Sequence, residues 1–161
     1  MVCNMIKLTT LIKAYKLALS NLGEKVGKWD KVYLGEVRFI GEKVPENIVF
    51  TFSNSSTMEP GAMGISAALN IELVEKLKGG LENITIAKDY INKSLEINEA
   101  GRMLVVLDNL FTTLSNMGPD FWEDAKVKDV YFDFDKDLAI FDTDIFKVPI
   151  STDGHLVLIG N

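Results

Sequence analysis

Between residues 129 and 144 the sequence reads DVYFDFDKDLAIFDTD, placing six aspartates in one short stretch. Their spacing decides what they can do. If Lys136-Asp137 is a two-residue hairpin turn, Asp133 falls opposite Ile140, Tyr131 opposite Asp142, and Asp129 opposite Asp144. Side chains alternate along a strand, so Asp129, Asp133, Asp142 and Asp144 then share one face. Val130, Phe132, Phe134 and Phe141 take the other, as a core-facing surface. Carboxylates held this close repel one another, and a hard divalent cation such as Ca²⁺ or Mg²⁺ relieves the repulsion. The run also starts like a helix–loop–helix calcium loop, with Asp133, Asp135 and Asp137 at alternate positions and Ile140 at the hydrophobic one. Leu138 stands where that loop needs glycine, Asp144 stands where it needs glutamate, and the flanks read as strands. The readings of this hairpin are a divalent-metal module or metal-dependent hydrolase, an ordinary solvated face, and a docking surface for a basic partner.

A second stretch, SNSSTMEPGAMG at 53–64, links a strand-like run to a segment that reads as helical from Ser66. Backbone N–H groups at a helix start favour anions. On that basis Ser55, Ser56, Thr57, Gly61, Gly64 and Ser66 are candidate ligand-binding positions for a phosphate or carboxylate. Against this, no Lys or Arg occurs from 53 to 75, and Glu59 adds negative charge. The plainer reading is a loop closed by a Ser cap.

Other chemistries lack parts. The chain has one Cys, Cys3, and one His, His155. Zinc sites use three or four N or S ligands, and triad mechanisms need a nucleophile beside a base. Neither GxGxxG nor GxxxxGK[ST] occurs. Two carboxylates alone suffice for glycoside hydrolysis, but a flat strand face offers no pocket for a sugar. The expectation is therefore a protein without catalytic residues.

The balance of 17 basic against 23 acidic residues gives a net charge of −6, which disfavours nucleic-acid binding. The charge is uneven: residues 1–43 carry eight basic and four acidic groups, whereas residues 119–147 carry four and nine. Such polarity suits solvated faces, salt-sensitive head-to-tail self-association, or an acidic partner docking on the N-terminal third. A single Cys fits a reducing, cytoplasmic setting. The opening residues MVCNMIK lack the apolar core of an export signal, and no run reaches the roughly 18 apolar residues of a membrane span.

The elements that must position these residues follow from periodicity. Leu8, Leu11, Ile12, Tyr15, Leu19 and Leu22 line one face of a helix over 6–22. Strands are expected over 31–40 and 47–52, with Gly35 marking a bulge. Helices are expected over 66–78, 85–93 and 99–117, the last apolar around more than half its girth. A meander over 128–134, 138–149 and 155–159 closes the chain, with Asp153-Gly154 as a hairpin signal. The result is one α+β domain over 1–161: a mainly antiparallel sheet, made of an N-terminal hairpin and a C-terminal three-stranded meander, packed with about three helices. In element order alone it resembles the chemotaxis phosphatases, whose Glu-x-x-Asn pair is here only Asp108-Asn-Leu-Phe111, without the amide. The expected role is a non-enzymatic, cytoplasmic protein-interaction or homo-oligomeric domain whose partner is another protein or itself.

Overall fold

A computed structural model describes residues 6–22, 29, 31–55, 63–77, 97–116, 126–144 and 147–151, the side chains of 111–115 aside. The order is β1 (Ile6–Lys7), α1 (Leu8–Leu22), β2 (Tyr33–Ile40), β3 (Asn47–Ser53), β4 (Gly64–Asn70), α2 (Ile71–Glu75), α3 (Ala100–Asn116), β5 (Lys126–Asp133), β6 (Leu138–Thr143) and β7 (Lys147–Ser151). The strands form two antiparallel sheets, one ordered β1-β5-β6-β7 and the other β2-β3-β4. The class is α+β, as the sequence indicates.

Helix α1 buries its whole predicted stripe, together with Ala14 and Ala18. Tyr15 is its anchor. The ring meets Phe50 edge-on at 5.4 Å and Phe52 at 6.2 Å, both on β3. Its hydroxyl donates to the Ala100 carbonyl at 2.6 Å, tying α1 to the first turn of α3. Burial pushes the Tyr15 phenol well above its ordinary pKa, because a phenolate there would lose its water. On α3, Met103, Leu104, Val106, Leu107 and Leu110 are buried, in keeping with the apolar girth read from the sequence.

Two differences from the sequence reading matter. The helix expected over 66–78 is only Ile71–Glu75, and residues 64–70 are strand β4, so the N-terminal hairpin is a three-stranded sheet. Alternation won over alanine's helix preference: Ile65, Ala67 and Leu69 turn inward while Ser66, Ala68 and Asn70 stay exposed. Asn70 then caps α2 by accepting the Leu73 N–H at 3.0 Å. Second, the run 138–149 is two strands, so the meander is β5-β6-β7, extended by β1. The expected elements over 85–93 and 155–159 lie outside the described residues. No described helix is long and apolar enough to cross a membrane.

Candidate functional site

The acidic hairpin forms, but two residues out of the expected register. Asp133 pairs with Leu138, Tyr131 with Ile140, and Asp129 with Asp142. The turn spans 134–137 instead of two residues, and Asp137 closes it with φ 56°. Asp133 steadies this longer loop by accepting the Lys136 N–H at 3.2 Å. A shift of two residues keeps each side chain on its expected face but changes who meets whom. Val130 and Phe141 face the core as expected, whereas Phe134 sits in the turn at 59% exposure. Its ring stacks on Phe132 at 5.9 Å.

The four aspartates therefore have separate employments. Asp129 lies opposite Asp142, and its carboxylate accepts the Val130 N–H at 2.9 Å. Asp142 stands 3.8 Å from the Lys128 ammonium. Asp144 lies beyond the last pair and clasps Lys126, accepting its N–H at 3.1 Å and donating its own N–H to the Lys126 carbonyl at 3.0 Å. Among the described residues, no three His, Cys, Asp or Glu side chains gather closely enough to hold a metal ion.

The polar loop divides as well. Ser66 lies inside β4, paired with Thr51, and Gly64 is paired with Ser53. No helix begins there, so the N–H array that motivated an anion site at Ser66 is absent from this position. Ser55 is described at the end of the β3 side, and Ser56, Thr57 and Gly61 lie outside the described residues.

What the structure brings together instead is a cleft between the two sheets. Its volume is about 560 Å³, and its walls are residues 35–38 of β2 and 129–132 of β5, with Phe134 at the rim and Asn98 between the walls. Four consecutive residues on each side is the mark of strand edges, since a strand facing a cavity contributes alternate residues. Among the described residues, β2 is joined on this side only near Tyr33 and Leu34. There Tyr33 bridges Glu99, and the Leu34 N–H reaches the Asn98 carbonyl at 2.7 Å. On β5, among the described residues, β1 covers only Lys126 and Val127.

Each wall begins at a bulge, between Leu34 and Glu36 on β2 and between Val127 and Asp129 on β5. Bulges bend a strand away from regular pairing. With Glu36 and Arg38 on one wall and Asp129 on the other, they keep two neighbouring edges from zipping together. Arg38 lies 3.7 Å from Glu36. The lining offers aromatic surface from Tyr131, Phe132 and Phe134 beside a few charges, and among the described residues none of it is His, Cys, Ser, Thr or Lys.

The chain matches no family model, no curated protein and no solved structure.

The sequence reading reached Asp129, which lines the cleft, but not Arg38, Tyr131 or Phe134 as a group. Gly35 was the available signal on β2. On β5 it was an aromatic triplet, Tyr131-Phe132-Phe134, ending in a turn of acids.

Proposed function

We propose that this chain is a non-enzymatic protein-interaction domain that seats an extended, apolar segment of a partner protein in the cleft between β2 and β5. The observation that carries this reading is the exposed aromatic rim: Phe134 at 59% and Tyr131 at 37% exposure stand at the mouth of a cleft between protected strand edges. Exposed aromatics beside a concave, partly apolar surface are what partner recognition uses. Bulges and charges on the walls favour side-chain insertion over a continuous backbone ladder. The acids Asp133, Asp135 and Asp137 adjoin Phe134 in the turn, so basic residues flanking the inserted apolar group fit best. A cytoplasmic setting fits the single Cys3.

The test is selection of peptides from a random library against the purified protein, with Phe134→Ala and Tyr131→Ala as comparison targets. Selected peptides should combine an aromatic or aliphatic residue with Lys or Arg and bind each variant at least tenfold more weakly. Peptides that bind wild type and both variants equally refute the cleft as the docking site.

A further inference from the structure

Among the described residues the two sheets have four outer strands, and three of them bear features that prevent another strand from pairing. β7 carries Lys147 and Pro149. β2 has its bulge at Gly35 and the charges of Glu36 and Arg38. The described part of β1, Ile6–Lys7, carries the charge of Lys7. Short edges, charges, prolines and bulges are how proteins keep sheet edges from associating.

β4 has none of these. Its seven residues, GISAALN, hold no charge and no proline, and they pair with β3 in unbroken register. Among the described residues no strand pairs with its other side. That side opens on a groove of about 200 Å³, lined by consecutive residues 65–69 and, across from them, by Asn21 and Leu22 at the end of α1. Consecutive lining again marks an edge. Large apolar side chains stand exposed just beyond each end of the strand, Met63 at 60% and Leu73 at 65%.

We infer that this edge pairs with β4 of a second copy of the chain, antiparallel about a two-fold axis at Ala67. In that register Ile65 lies across from Leu69 of the second copy on the inward side, where the groove beside α1 receives it. Ser66 lies across from Ala68 on the outward side, and Gly64 across from Asn70. The Met63 end of each copy meets the Asn70 end of the other, toward Leu73. A two-fold interface must be complementary to itself. An uncharged strand meets that condition even though each chain carries a net charge of −6. The two three-stranded sheets become one sheet of six, and the exposed edge disappears.

Sedimentation equilibrium of the full chain tests this, with circular dichroism confirming that each variant is folded. Wild type should run at twice its 17.9 kDa mass at micromolar concentration, and still do so in 1 M NaCl, because no charge lies along the edge. The double variant Ser66→Lys with Ala68→Lys sets like charges directly opposite each other and should run as a monomer. The variant Ser66→Glu with Ala68→Lys sets opposite charges across the same pairs and should restore the dimer. A monomeric wild type, a dimer lost in high salt, or a dimer that survives the two lysines overturns the interface. Loss of the dimer in both double variants overturns the register.

Discussion

Replacing Tyr15 by Phe removes one oxygen and leaves the ring between Phe50 and Phe52. The lost group is a buried hydroxyl donating to the Ala100 carbonyl at 2.6 Å. That carbonyl sits in the first turn of α3 and keeps its intrahelical partner, so no acceptor is orphaned. The cost near neutral pH is therefore that of one ordinary hydrogen bond, about 1 kcal/mol. At high pH the effect changes sign. Burial holds the Tyr15 phenol well above its ordinary pKa, so the folded protein retains a proton that the unfolded chain releases above about pH 10. A group whose folded pKa is raised contributes stability that is complete below the unfolded pKa and is lost as pH rises toward the folded one. The slope from this single proton is about 1.4 kcal/mol per pH unit. One unit above pH 10, wild type has given up about what the hydroxyl contributed, so the stabilities of wild type and Tyr15→Phe should cross near pH 11. Urea denaturation followed by circular dichroism from pH 8 to pH 11.5 measures both curves. Parallel curves, with wild type ahead by a constant amount, would refute the buried, protonated Tyr15 and the α1–α3 link built on it.

Leu107→Ala, at 1% exposure on α3, should lower stability by about 2–5 kcal/mol in the same assay. Gly41→Ala should lower it by about 1–3 kcal/mol, because the added methyl overlaps the Val44 carbonyl oxygen in the β2–β3 connection. Phe134→Ala should change stability by less than about 0.5 kcal/mol, since the ring is mostly exposed, so any loss of peptide binding in that variant reflects contact and not unfolding. A melt of Phe134→Ala well below wild type would make Phe134 a structural residue.

The legible parts of the fold were those whose patterns are local. The stripe from Leu8 to Leu22 and the apolar girth from Met103 to Leu110 each declare a helix and its inner face without reference to anything distant. β4 was misread because Ala67, Ala68 and Leu69 favour a helix in isolation, and only pairing with β3 fixes them as a strand. The acidic hairpin was legible as a hairpin with the correct faces. Its register was not, because the turn length depends on Asp137 entering the left-handed region and Asp133 capping Lys136. That difference of two residues moves Asp144 out of the ladder and gives the aspartates separate partners. The cleft was illegible for a different reason: it lies between strands from opposite ends of the chain, and neither wall's sequence names the other.

The most direct measurement of the interaction reading is the footprint of a selected peptide on the backbone amides of the isotopically labelled protein. Binding in the cleft predicts saturable shifts concentrated at residues 35–38 and 129–134, with Asp129 and Phe134 among the largest and the α1 face unchanged. Shifts gathered on α2 or the β4 edge, with 35–38 and 129–134 unmoved at saturation, would contradict it.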